Sequence, residues 1–218
     1  MDLTSKHKWQ LDIYNPDFDG QKKIVIIWAG WIGSTTAYAL AQMWCKDITV
    51  VDFDEVEIHN TASQFYKQSD LWLSKVTALQ TNILEFTWIV IKTIPYKFEP
   101  DHIKDADIVI MAVDNMAVRM QIAEACTSKT IRFIDCRMAA MMFEIHMFIP
   151  VFEMELYKKT WYTDEEASPV TCTNKSVSFN CLAIAAVITR IVKGIIKEEK
   201  EILNRSNWQI DLHNLLIW

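Results

Sequence analysis

The sequence predicts an α/β protein, a doubly wound Rossmann-like, mostly parallel sheet extended by antiparallel strands. Two observations predict it. Short β-branched runs alternate with helical patterns from Lys23 to Cys136, and right-handed crossovers turn that rhythm into a parallel sheet. The first run, in "KIVIIWAGWIGS", ends at a small-residue turn and opens into the helical "STTAYALAQM". A nucleotide-binding strand–turn–helix begins in that way.

The elements follow in order. Residues 1–22 are polar and read as an N-terminal arm with a short helix. "KIVII" is a buried strand, 34–43 a helix and "DITVVDF" the second strand. A polar segment, "DEVEIHNTASQFYKQSD", leads into the helical "LWLSKVTALQTNILEF", where Val76, Leu79, Ile83 and Phe86 are spaced for one face. "IVIKTIPY" and "ADIVIMAV" are strands, "NMAVRMQIAEACTS" a helix and "IRFIDC" another strand. After Cys136, "MMFEIHMFIP" alternates like a half-buried strand that extends the sheet antiparallel. Residues 150–175 read as a long loop, at a length where loops are often functional. A helix over 176–196 closes the unit. Without a repeat or a low-complexity linker, residues 1–218 are expected to be one domain, with 197–218 as a C-terminal extension.

Composition narrows the function classes. A net charge of -6 with no basic block argues against a general nucleic-acid binder. The five cysteines (45, 126, 136, 172 and 181) contain no C-x-x-C pair, which points to reduced, cytoplasmic thiols and no structural zinc. The N-terminus lacks the apolar core of a secretory signal. The richest apolar segment, "SVSFNCLAIAAVITRIV", carries Asn180 and Arg190 and reads as a buried helix rather than a membrane span.

Candidate chemistry lies at the carboxyl ends of the strands, where such sheets bind ligands. The turn 28–33, with Ala29, Gly30 and Gly33, is one feature. Asp52 is another, ending the second strand 19 residues after Gly33, where an acid accepts hydrogen bonds from ribose hydroxyls. Asp52 and Asp54 are equally suited to forming a strand-end turn. Asn60 and Gln64 suit loop closure, Lys75 a solvated helix face, and Asp114 a helix cap. Arg119 fits a structural ion pair or a phosphate contact, and Arg137 can pair with Asp135 or face a ligand.

Taken in order, "VVDFDEVEIHNTASQFY", then "SK" at 74–75, then "MAVDNMAVR" at 111–119 resembles the adenylyltransferase family of ThiF, MoeB and the ubiquitin-activating enzymes. The resemblance covers roughly residues 20–195, and "DCRM" and "SPVTCT" are similar to a zinc-free prokaryotic branch. It implies an enzyme that uses ATP to activate the C-terminal carboxylate of a ubiquitin-like or sulfur-carrier protein. Asp52 would hold the ribose with Asp54 beside it. Asn60 and Gln64 would contact nucleotide and phosphates, Lys75 would sit on the polyphosphate, and Asp114 would bind Mg²⁺. Carboxylate attack on the α-phosphate builds negative charge that Lys75 and Mg²⁺ neutralise, and an acyl adenylate results. The attacking carboxylate is already ionised at neutral pH, so no general base is required. A homodimer is also implied.

Cys172, in the long loop ahead of a helix, is either a candidate thioester nucleophile or a small residue packing the helix start. Two departures from the family stand out. Ser63 occupies a position where many relatives have Arg, and no zinc pairs are present.

A third departure concerns glycine. Only 4 residues are Gly while 9 are Trp, and Trp28, Trp31, Trp44 and Trp72 stand where backbone chemistry asks for glycine. Cys136 also stands where relatives often have Gly. Either the indoles fill the core, or tryptophan has replaced glycine at these turns. Trp28 and Trp31 are expected to leave the fold intact and weaken ATP binding. Two other readings remain open: a non-catalytic pseudoenzyme or binding module, and a nicotinamide-dependent oxidoreductase that the Asp52 spacing allows.

Overall fold

The computed structural model describes residues 3–15, 17, 21–139, 141–162 and 177–217. A short helix α1 (Leu3–His7) precedes strand β1 (Ile24–Ile27), whose four β-branched residues are all buried. Helix α2 (Trp31–Gln42) returns the chain to β2 (Ile48–Val51). Two short 3-10 turns lead to α3 (Lys75–Thr87) and β3 (Lys92–Ile94). Strand β4 (Ile108–Met111), α4 (Met116–Ala125) and β5 (Arg132–Ala139) complete the crossover pattern.

The eight strands form one sheet in the order β3-β2-β1-β4-β5-β6-β7-β8, with β6 at Met142–Phe148, β7 at Asn207–Asp211 and β8 at Leu216–Ile217. Pairing is parallel from β3 to β5 and antiparallel from β5 to β8. The expected fold class is therefore observed. The C-terminal segment adds β7 and β8 to the sheet beyond β6.

Alternation along β1 and β4 splits the core into two layers. Ile24, Ile26, Ile108 and Ile110 pack with Leu40 of α2, Leu79 of α3, and Ile184 and Ile188 of α6 (Ser178–Ile196). Val25, Ile27, Val109 and Met111 face the other way, onto Ile122 of α4 and Tyr157 of α5 (Pro150–Lys158). Helix α6 is long and apolar enough to cross a membrane, but its buried face lies in the first layer.

Two expectations are corrected. The start of the predicted loop 150–175 is helix α5: Pro150 takes the first helical position, where its missing N–H costs nothing, and Glu153 Oε2 accepts the Ile149 amide at 2.6 Å. Phe86 does not share the buried face of Val76, Leu79 and Ile83; it is 56% exposed, against Tyr38 and Phe65.

Candidate functional site

The strand order reverses between β1 and β4, so the loops leaving their carboxyl ends diverge and open a crevice. The turn after β1 is held on several sides. Trp28 donates its amide hydrogen to the Val51 carbonyl at 2.8 Å. Ala29 donates to Asp52 Oδ2 at 2.6 Å, and its carbonyl accepts the Tyr66 hydroxyl at 2.7 Å. Ser34 Oγ donates to the Gly30 carbonyl and accepts the Phe65 amide, tying the helix start to the loop beyond β2. Gly33 has no alternative, because a Cβ there would lie 1.8 Å from the Trp28 carbonyl oxygen.

Asp52 ends β2, 1% exposed, with Oδ1 accepting the Asp54 amide at 2.8 Å. Burial pushes its carboxyl above the usual value, opposed by Lys75 and the two amide donors. Lys75, the first residue of α3, is buried and reaches Asp54 Oδ2 at 2.9 Å. Asn60 Oδ1 accepts the Glu57 amide at 2.8 Å and closes its 3-10 turn. Gln64 Oε1 is buried with no hydrogen-bond partner among the described residues.

These groups converge. Asp54, Asn60, Gln64, Lys75, Asp114, Arg119 and Gly30 line one cavity of about 390 Å³. Asp52 lines a second cavity of about 420 Å³, walled by Phe53, Tyr96, Phe98, Val113 and Ile122. Trp28 lines both, its indole edge-on to Phe53 at 5.4 Å. Ala29 stays behind the turn, fully buried.

The remaining sequence candidates differ in setting. Asp114 is exposed in the cavity wall and carries no ion pair among the described residues, while Asn115 caps α4 by accepting the Val118 amide at 3.1 Å. Arg119 is 3% exposed, donates to the carbonyls of Cys136 and Val113, and pairs with Asp135. Burial lowers its pKa to about 10. Arg137 pairs with Asp135 at 2.8 Å and donates to Thr160, so both arginines are held by protein groups. The Cys136 thiol is buried and pushed up to about 12, which removes it as a nucleophile at neutral pH. Cys172 lies outside the described residues.

Trp28 has the positive φ that glycine favours, 83°, but Trp31 does not; it is the first residue of α2, with its indole in the cavity wall. Sequence reasoning missed Tyr66, which anchors Ala29, and the apolar second cavity. Tyr66 stands among the motif residues but carries no spacing of its own, and the second cavity forms only when β2, β3 and α4 assemble.

The family model described as "ThiF family" matches residues 19–217. The chain belongs to the ThiF family. This ThiF-family chain is 32% identical over 109 residues to the "Adenylyltransferase and sulfurtransferase MOCS3" of Dictyostelium discoideum, covering 47% of the chain and 26% of that protein. It is 24% identical over 159 residues to the "Sulfur carrier protein ThiS adenylyltransferase" of Escherichia coli (strain K12), covering 68% of the chain and 63% of that protein. The chain thus spans less than two thirds of either relative. In fold, the ThiF-family chain resembles PaaA, with a TM-score of 0.76 at 15% identity over all of this chain and 72% of that one. It also resembles E. coli MccB solved with ATP, with a TM-score of 0.72 at 16% identity over 90% of this chain and 63% of that one.

Proposed function

We propose that this chain is an ATP-dependent adenylyltransferase that activates the C-terminal carboxylate of a ubiquitin-like or sulfur-carrier protein as an acyl adenylate. One observation carries the reading: Asp54, Asn60, Gln64, Lys75 and Asp114, drawn from separate segments, line one cavity beside the apolar pocket at Asp52. The family membership and the named activities of the relatives agree with it.

The residues present fit a nucleotide with Mg²⁺. Among the described residues the Gln64 carbonyl oxygen has no hydrogen-bond partner and Asp114 in the wall has no ion pair. Mg²⁺ is commonly held by one or two carboxylates together with substrate phosphates, so a lone carboxylate such as Asp114 suffices. The ion supplies charge neutralisation at the phosphates. Lys75 adds a second positive charge at the same cavity, held in place by Asp54. The apolar second cavity suits a planar base, and the backbone contacts of Asp52 fix its carboxylate at the cavity edge, where a ribose hydroxyl would donate to it.

The homodimer belongs to the same proposal. Exposed Phe152 and Leu156 of α5 on one face of the sheet, and Phe179 and Leu182 of α6 on the other, are the candidate apolar surfaces for it. A cytoplasmic setting agrees with the four free, buried cysteines among the described residues.

Trp28 favours a second reading, because its indole stands between the two cavities. The chain as it stands then binds ATP poorly and acts as a binding module. ATP–pyrophosphate exchange that depends on a carrier protein ending in Gly-Gly separates the two readings. The test compares the parent chain with a Trp28→Gly/Trp31→Gly variant. Exchange in the variant is the expected result. Its absence in both, with ATP also failing to bind, defeats the adenylation reading.

A further inference from the structure

Four tryptophans hold a backbone conformation that belongs to glycine. Trp28, Trp44, Trp72 and Trp88 have φ values of 83°, 78°, 69° and 64°. In that region a Cβ crowds the following carbonyl, and glycine alone enters it routinely. Among the described residues only Glu198 and Leu215 are further non-glycine residues with positive φ. Tryptophan thus takes four of six such positions, though it supplies 9 of 218 residues.

Each position is one where the backbone bonding itself asks for glycine. Trp44 donates to Ala41 and Cys45 to Leu40, both at 3.0 Å, the paired bonds of a helix ending on a left-handed residue. Trp88 closes α3 in the same region and donates to Leu84 at 2.9 Å. Trp72 turns the chain toward α3 while bonded to the Val56 carbonyl at 2.9 Å. Trp28 leaves β1 above Gly33.

Indole packing does not account for the whole pattern. Trp44 is buried in the core, but Trp72 is 72% exposed and Trp88 50%. Ordinary mutational drift does not account for it either. Single-base changes at glycine codons also yield alanine, serine, aspartate and arginine, most of them smaller and some tolerant of this conformation, yet all four positions carry the bulkiest residue. Moreover, the 4 glycines and 9 tryptophans together approach the share of about 7% that glycine alone takes in average proteins.

We propose that the polypeptide made in its own cells carries glycine at positions 28, 44, 72 and 88, inserted at a codon that other cells decode as tryptophan. Backbone geometry and composition carry this, independently of the adenylation reading. Its consequence for the site is direct. The Trp28 indole borders both cavities, and glycine there joins them into one cleft with the Asp52 carboxylate at the junction.

Peptide mass mapping of the protein isolated from the cells that carry its gene tests the proposal without any variant. The peptides spanning the four positions are expected to show the mass of glycine at each. Tryptophan at any of the four overturns it. ATP titration of the same preparation keeps the two readings apart: glycine at all four with no ATP binding upholds this assignment and defeats the adenylation reading.

Discussion

Ala29 donates its amide hydrogen to Asp52 Oδ2 at 2.6 Å, so the end of β2 holds the turn that leaves β1. The same carboxylate accepts from Asp54. Asp52→Ala leaves both amides without their acceptor, and each buried unpaired group costs about 1–3 kcal/mol. A urea titration is expected to show a loss in that range or above. A midpoint unchanged from the parent would mean that water replaces the carboxylate and the clamp is dispensable.

Burial raises the Asp52 carboxyl above its ordinary value of 3.8. The folded chain therefore binds this proton more tightly than the unfolded chain. The stability from this group is fully present below the unfolded value and is lost as pH rises through the folded one. The stability of the parent relative to Asp52→Asn is expected to fall as pH climbs from below 3.8. A difference that grows with pH instead would show a carboxylate stabilised by its amide donors over burial.

Lys75 meets Asp54 at 2.9 Å with its own side chain 8% exposed and the acid 34% exposed. Removing the cation from a pair that is buried on the lysine side and partly exposed on the acid side costs more than the about 1 kcal/mol or less of an exposed pair and less than the about 3–5 kcal/mol of a fully buried one. A cation aimed at developing phosphate charge is worth about 100- to 1,000-fold in rate. Lys75→Ala, in a chain with glycine at 28 and 31, is expected to lose exchange activity on that scale while still folding cooperatively, its urea midpoint lowered only by the cost of the lost pair. Equal losses in folding and exchange would mark Lys75 as structural.

Asp114 is exposed in the cavity wall and unpaired among the described residues, so Asp114→Asn should shift stability by no more than about 0.5 kcal/mol. Exchange by this variant, made in the chain with glycine at 28 and 31, is expected to need more Mg²⁺ for half-maximal rate than the same chain with Asp114. An unchanged magnesium titration would exclude Asp114 as the holder of the ion.

The legible and illegible parts of this molecule divide by the range of the interaction. The runs at Ile24–Ile27 and Ile108–Met111 are apolar on both faces, and Ile48–Val51 is so but for Thr49, so their burial in a parallel sheet follows from composition. The order of Asp54, Asn60, Gln64, Lys75 and Asp114 along the chain was enough to gather the wall of the first cavity. By contrast, α5 is not legible as a helix, because "VFEMELYKK" follows a proline and has apolar residues on more than one face. Three of them, Val151, Phe152 and Leu156, are exposed, so periodicity could not reveal the helix. Trp88 escaped notice as a fourth left-handed tryptophan because nothing local marks where α3 stops. Its φ is set by the chain's need to turn into β3.

Backbone strain and indole packing oppose each other at the left-handed tryptophans, and their balance differs from one position to the next. Relief of a left-handed non-glycine residue is worth about 1–2 kcal/mol, and the added entropy of an unfolded glycine returns about 0.5–1 kcal/mol of it. Trp72 buries little, so Trp72→Gly is expected to raise stability by about 0.5 kcal/mol. Trp88 is half-exposed beneath the Lys6 ammonium at 4.6 Å, and its replacement should come out near neutral. Trp44 is 5% exposed and packs on His7 at 4.6 Å between ring centres. Losing a buried indole costs about 3–5 kcal/mol, so Trp44→Gly should lower stability despite the same relief of strain. Urea midpoints are therefore expected to fall in the order Trp72→Gly, Trp88→Gly, Trp44→Gly, with the parent below the first. A Trp72→Gly variant weaker than the parent would show that the left-handed backbone at this turn costs tryptophan nothing.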